Sequence, residues 1–250
     1  MTDQKPMWTG SVDFDRDSFE QFLAMRVGTG EPVYWYNIGE VYTYPEGRLV
    51  YLIEGCDTAR LVRAPGDPHT AIQLSRKYYV YRDPATRALL KEYNGAPVPP
   101  IAYPYQYLTF TLDGGRVVTS VEQGAGAGLV RIGPVDNFIL RRIGSNLIVS
   151  APLFLNRETP RGRYEAYENY DFILRTAESN PADRYQMTWN RFADAPVFLP
   201  GKGRCMLQMI GWRVDRFEDV PASIRDTIAA DAPMWKEPPR DLDEIRALQK

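Results

Sequence analysis

The chain has 250 residues, 44% of them apolar, with 30 basic and 32 acidic side chains, one histidine and two cysteines. That is enough apolar chain for a substantial core in one large or two ordinary domains, and no apolar run approaches the ~20 residues that span a bilayer. His69, Cys56 and Cys205 cannot assemble a His₃, Cys₄ or Cys₂His₂ metal site within one chain, and a net charge of −2 speaks against a nucleic-acid-binding surface.

Charge is unevenly spread. Residues 1–40 carry −4 and 215–250 carry −3, which leaves +5 on the middle of the chain; a mildly basic body suits an anionic small ligand such as a phenolate or carboxylate. The N-terminus lacks the basic start and apolar run of a secretory signal, and two distant cysteines make no disulfide framework. The expectation is a cytoplasmic protein.

In chain order, residues 17–27 predict a helix, with Asp17 or Ser18 as cap and Ser18–Gln21 at capping-box spacing. From Val33 to about Val214 the pattern becomes short alternating runs split by turns, the mark of antiparallel sheet. Strands are expected at 40–44 and 48–54 around Pro45-Glu46-Gly47, then at 70–82, ended by Asp83-Pro84, and at 87–93. The clearest hairpin joins 103–112 to 116–123 through Asp113-Gly114-Gly115. Further strands are expected at 138–143, 147–155, 163–178, 185–192 and 203–214, while the glycine-rich stretch 124–128 reads as a loop. Pro221–Asp231, with Asp219 as cap, and Asp241–Gln249 predict closing helices.

The fold class expected is mainly β: an antiparallel β-barrel or strongly curved sheet, calycin- or lipocalin-like, with short helices at both ends covering its openings or edges. It would form a single domain, with a helical segment 1–32, a barrel body 33–214 and a helical segment 215–250.

Tyrosine is the compositional anomaly: 16 residues, all between positions 34 and 185. Tyr103, Tyr105 and Tyr107 lie two apart, so a regular strand would point them to one face. Tyr42 and Tyr44 share a face with Glu40, and Tyr79 and Tyr81 with Lys77. An apolar ring with a polar tip suits a pocket for oxygenated aromatic ligands, although such rings equally serve as barrel wall. His69, in a proline-rich turn, is either an exposed loop residue or a lone general base. Lys77 is a candidate base or anion clamp if partly buried. Arg141-Arg142 and Arg161-Gly162-Arg163 are candidate carboxylate or phenolate binders. Trp189-Asn190-Arg191-Phe192 can stack on and hydrogen-bond a planar ligand, though Trp189 and Trp212 are equally at home in a core. Glu165, Glu168 and Asp171 are candidate acids or bases.

The run Gly39-Glu40-Val41-Tyr42-Thr43-Tyr44-Pro45-Glu46-Gly47, with Leu52-Ile53-Glu54-Gly55 and Ala59-Arg60 after it, resembles the start of an uncharacterised bacterial family. Thr188-Trp189-Asn190-Arg191, Gly201-Lys202-Gly203-Arg204, Gly211-Trp212-Arg213, Asp219-Val220-Pro221 and Pro233-Met234-Trp235 resemble its distal half. The similarity spans about residues 13–240. It departs from the family pattern around Tyr93-Asn94-Gly95, where a proline-rich stretch and the Tyr103–Tyr107 ladder replace a tryptophan-richer segment. The resemblance implies a role in breaking down lignin-derived aromatics and transfers no catalytic residue.

The expected function is a cofactor-independent lyase acting on a phenolic aromatic dimer, for instance releasing formaldehyde and forming a stilbene. Such a reaction needs a base, donors for the leaving oxygen and an apolar cavity for two rings. Lys77, Tyr79, Tyr103 and Tyr105 are the catalytic candidates, with Glu165 or His69 as base; Tyr42, Tyr44, Tyr81, Tyr107, Arg142, Trp189, Arg191 and Trp212 are the substrate-binding ones. No metal or other cofactor, no nucleic acid and no membrane partner are expected, and edge strands with an aromatic surface suggest a homodimer. The alternative is a non-catalytic carrier of a hydrophobic aromatic compound.

Overall fold

In a computed structural model, which describes residues 8–64, 66–125, 128–159, 162–196, 198–199 and 203–249, the chain is mainly β. Its strands are β1 (Trp8–Val12), β2 (Val33–Tyr44), β3 (Leu49–Arg63), β4 (Thr70–Arg82), β5 (Glu92–Tyr93), β6 (Ala96–Pro97) and β7 (Ile101–Asp113). They continue with β8 (Arg116–Ala125), β9 (Gly128–Val135), β10 (Ile139–Ile143), β11 (Asn146–Thr159), β12 (Gly162–Leu174), β13 (Tyr185–Asp194) and β14 (Arg204–Val214). Among the described residues four α-helices accompany them: α1 (Arg16–Val27), α2 (Pro181–Arg184), α3 (Ala222–Asp231) and α4 (Leu242–Leu248).

Twelve strands form one antiparallel, strongly curled sheet in the order β1-β10-β11-β12-β13-β14-β2-β3-β4-β7-β8-β9. Among the described residues its two edge strands, β1 and β9, are not paired with each other, so the sheet curls like a barrel split along one seam. Residues 136–138 cross that seam, with Phe138 among the interior rings of Phe22 and Phe110. At one end the Phe14 N–H donates to Gly115 O at 2.8 Å and draws the two sides together.

α1 plugs that end. Asp15, rather than Asp17 or Ser18, is its N-cap, and Ser18 completes the capping box by returning a bond to the Asp15 backbone. Phe19, Phe22, Leu23 and Met25 are fully buried against Phe110, Leu140, Val149 and Phe172 of the inner sheet face. The Arg213 guanidinium, from β14, is buried there and donates to the Ala24 and Met25 carbonyls in the last turn of α1, where a helix leaves carbonyls short of partners.

The C-terminal helices do not cover an opening, as the sequence reading expects. They lie on the outer face of β2–β4, β7 and β14. α3 buries Ile224 and Ile228 against Tyr34, Tyr36, Tyr78 and Val80, and α4 buries Ile245 against Leu74 and Tyr105. Two buried charges fasten them. Glu54 accepts from the Tyr36 hydroxyl at 2.8 Å, from Arg82 and from Ser223 of α3; Arg76 donates to Glu237 O and pairs with Glu244 of α4. The central strands are therefore buried on both faces.

Other differences from the expected elements have local causes. Of residues 87–93 only Glu92–Tyr93 form a strand, the short β5: Asp83 accepts from the Ala85 and Thr86 backbone in a side-chain-capped turn, and Arg87 and Asn94 adopt positive φ. The stretch 124–128 is strand on both sides, with β8 reaching Ala125 and β9 starting at Gly128; residues 126–127 lie outside the described residues. No described helix is long and apolar enough to cross a membrane.

Candidate functional site

Beyond the α1 plug, the curled sheet encloses a cavity of about 860 Å³, within the range of ligand sites. Strand alternation decides what lines it. Pairing places Asp57 beside Lys77, Gly55 beside Tyr79 and Ile53 beside Tyr81, so these β3 and β4 residues face inward while Cys56 and Tyr78 face α3. Likewise Phe172 pairs with Met187, Tyr170 with Trp189 and Glu168 with Arg191 on the same inner face.

The centre of the site is an aromatic wall. Tyr170 and Trp189 stack at 5.2 Å with an 11° interplanar angle, and Tyr170 lies parallel to Phe172. Two cations approach it: Lys77 Nζ lies 5.5 Å from the Trp189 ring and 5.7 Å from that of Tyr170, and Arg26, from the last turn of α1, lies 4.4 Å over Phe172. Burial pushes the Arg26 guanidinium down to about 10, still high enough to keep it charged near neutrality.

Polar groups are arranged in pairs around this wall. Lys77 sits 3.4 Å from Asp57. Glu168 lies 3.2 Å from Arg191 and accepts from the Tyr170 hydroxyl at 3.1 Å; Arg191 also donates to the Tyr164 hydroxyl. The Tyr79 hydroxyl accepts from Asn37 Nδ2 at 2.9 Å. Burial first, and the neighbouring carboxylates second, hold the Tyr79 and Tyr170 hydroxyls well above the ordinary phenol value, so both are donors at neutral pH. The Trp189 indole N–H and Asp57 Oδ1 are buried with no hydrogen-bond partner among the described residues.

Glycine makes room for this arrangement. A Cβ on Gly55 would lie 2.2 Å from the Tyr79 ring, and one on Gly211 would lie 2.1 Å from Asn37 Oδ1. Only bare backbone at these two positions lets Tyr79 and Asn37 lie across their neighbouring strands.

Of the residues singled out by sequence, Lys77, Tyr79, Tyr81, Tyr103, Glu168, Trp189 and Arg191 line this cavity together, with the exposed Arg163 at its edge. The others do not. Tyr105 and Tyr107 face outward toward α4. Ser75 pairs with Gln106 but Lys77 pairs with Tyr103, so Pro104 and Tyr105 together oppose Arg76 in a β-bulge. The bulge reverses the alternation after Tyr103, and the Arg76 Nε–H holds it by donating to Pro104 O at 2.9 Å.

Glu165 points out of the barrel into surface ion pairs with Arg163 and Arg204; the inward carboxylate of β12 is Glu168. Asp171 also faces outward and accepts from Ser150 and Thr188. His69 is exposed in its turn, away from the cavity. Tyr42 and Tyr44 lie on the outer face beside a shallow hollow of about 300 Å³. Arg142 is exposed at the α1 end, near Asp15. Trp212 packs on Tyr36, under α3. Arg161 and Gly201-Lys202 lie outside the described residues.

Sequence reasoning missed Arg26, Asn37, Asp57, Tyr164 and Tyr170. The i, i+2 spacing of Glu168, Tyr170 and Phe172 was the available signal for one face of β12. Pro104, which cannot donate to a ladder, was the available signal for the bulge.

Comparisons with protein-family models, with characterised proteins and with solved structures return no match to this chain. The fold and the cavity therefore define the site without help from relatives.

Proposed function

We propose that the protein is a lyase acting on a phenolic, two-ring aromatic compound held in the barrel cavity. The observation that supports it most is the stacked Tyr170–Trp189 wall with Lys77 beside it and the Trp189 indole N–H, which has no partner among the described residues, a surface suited to an electron-rich ring bearing oxygen. The cavity is large enough for two rings. Its inward charges, Arg26, Lys77 and Arg191 against Glu168 and Asp57, leave a small positive excess that favours an anion such as a phenolate. The motif resemblance points to the same lignin-derived compounds.

A reaction that fits is fragmentation of a diaryl 1,3-diol. A base removes the proton of the primary alcohol, and the carbon–carbon bond to that carbon breaks to release formaldehyde. The electron pair forms the stilbene double bond as hydroxide leaves the neighbouring carbon, protonated as water. Glu168 is the inward carboxylate suited to take the proton, in place of Glu165 or His69. Tyr79 and Lys77 are suited to protonate or stabilise the leaving oxygen, and Arg191 to fix a phenolate.

The experiment is incubation of the purified protein with a panel of phenolic dimers, following stilbene fluorescence, formaldehyde release and quenching of tryptophan emission. Product formation lost in Glu168→Gln and Lys77→Ala supports the lyase. A second reading, a carrier, is favoured by the pairing of Lys77 with Asp57 and Glu168 with Arg191, which leaves each charge already satisfied; it predicts saturable quenching with unchanged ligand. Absence of both binding and turnover across the panel would reject the aromatic-ligand assignment.

A further inference from the structure

The outer face of the sheet is covered by α3 and α4 over its central strands and the Trp212–Val214 end of β14, but not over β11–β13 and the rest of β14. There the pairing registers line up one unbroken apolar row: Phe154 opposite Tyr167, Tyr167 opposite Phe192, Phe192 opposite Met206, Met206 opposite Tyr42, and Tyr42 opposite Leu49. The row is wet: Phe154 is 79% exposed, Met206 49%, Leu49 38% and Tyr167 36%, with Tyr44 at 51% and Ile210 at 55% beside it. A contiguous apolar band of this kind marks an interaction surface.

We propose that this band is a two-fold interface with a second copy of the same chain, its axis running along the strands between β13 and β14. The rows that flank the apolar one support this choice. Rotation about such an axis lays each row on its own reverse. In the apolar row, Phe192 then meets the second copy's Met206, Tyr167 meets Tyr42 and Phe154 meets Leu49. On one side, Asp194 of β13 pairs with Arg204 of β14 in register, so reversal sets each acidic group over the other copy's basic one. On the other side, Asn169, Asn190, Gln208 and Glu40 follow one another across β12, β13, β14 and β2. Reversal there sets amide over amide and Glu40 over the amide of Asn169.

At the residues named, each row is thus complementary to its own reverse, as a closed isologous contact requires. Six strands about 4.8 Å apart and three residue rows about 7 Å apart offer roughly 600 Å² of face per copy, near the ~800 Å² that each partner contributes to a standard stable interface. Tyr42 and Tyr44, expected from the sequence to bind substrate, would on this proposal serve assembly instead.

The test is solution mass by light scattering or sedimentation over a concentration series. The wild-type chain should reach twice its 28.6 kDa. Phe154→Asp and Met206→Asp, at side chains that are largely exposed, should each return a 28.6 kDa species with unchanged circular dichroism. Arg204→Asp should weaken the dimer, and Asp194→Arg added to it should restore the dimer by exchanging the charges. A wild-type chain that stays monomeric up to its solubility limit overturns the proposal, whether or not it sediments with lipid vesicles. So does a dimer that survives both apolar-to-Asp substitutions.

Discussion

Gly55→Ala tests whether the inner wall is built as described. The new Cβ would lie 2.2 and 2.3 Å from two atoms of the Tyr79 ring and 2.6 Å from Tyr78 O. Carbon atoms in contact sit about 3.5–4.0 Å apart, so the ring would have to retreat by more than an ångström. Tyr79 is only 2% exposed, with Asn37 on its hydroxyl and Trp189 at 6.3 Å, and has little space to retreat into. Overpacking of this kind costs about 1–3 kcal/mol, and weakening the Asn37–Tyr79 hydrogen bond adds about 1 kcal/mol. The lower entropy of the unfolded alanine chain offsets about 0.4–1 kcal/mol of that. A net loss of about 2–3 kcal/mol should lower the melting temperature by roughly 5–10 °C in a domain of this size. Gly203→Ala is the control, because a Cβ there meets nothing within 4 Å. Thermal and urea unfolding followed by circular dichroism measures both variants. Equal midpoints for the two would refute the close approach of Tyr79 to β3, and with it the reasoning for the wall.

Three further outcomes are expected. Tyr103→Phe should weaken binding of a phenolic ligand, as read by tryptophan quenching, while Tyr105→Phe should leave it unchanged; equal effects would contradict the bulge at Pro104-Tyr105. Lys77→Met should cost about 3 kcal/mol by stranding Asp57 in the wall, and Asp57→Leu added to it should recover most of that loss; additive urea midpoints would refute the coupling. Because burial keeps Tyr51, Tyr79 and Tyr170 protonated far above the ordinary phenol value in the folded chain, their contribution to stability is complete below pH ~10. It is lost progressively as pH rises beyond that, where the unfolded chain releases protons and the folded one does not. Ultraviolet titration should show these phenols ionising only on alkaline unfolding; full ionisation of all 16 tyrosines in a still-folded chain would contradict their burial.

Much of the fold was legible because it is written in local chemistry. The strand 70–82 is found at those same residues, the Asp113-Gly114-Gly115 turn joins β7 to β8, and α1 starts within a residue of its expected position. Period-two alternation, turn residues and capping pairs act over a few neighbours, so a single sequence carries them. The candidate site was half legible. Lys77 and Tyr79 were recognised from their own strand, but their partners Asp57 and Asn37 lie on other strands, at positions with no local signature.

What the sequence determined by itself was a tyrosine-rich antiparallel body preceded and followed by helices, with too few histidines and cysteines for a His₃, Cys₄ or Cys₂His₂ metal site. Which rings face the cavity was decided only by tertiary structure. Tyr78 and Tyr79 are adjacent and both buried, yet one lies under α3 and the other in the wall. Composition cannot separate them, because packed helices make the outer face of these strands as apolar as the inner one. Tyr103 and Tyr105 are parted by a bulge whose position depends on Arg76 of the neighbouring strand. Alternation along β12 sets Glu165 and Glu168 on opposite faces, but which face is inside is decided only by the closed sheet. Inside and outside are properties of a closed shape, and they exist only once distant strands have paired.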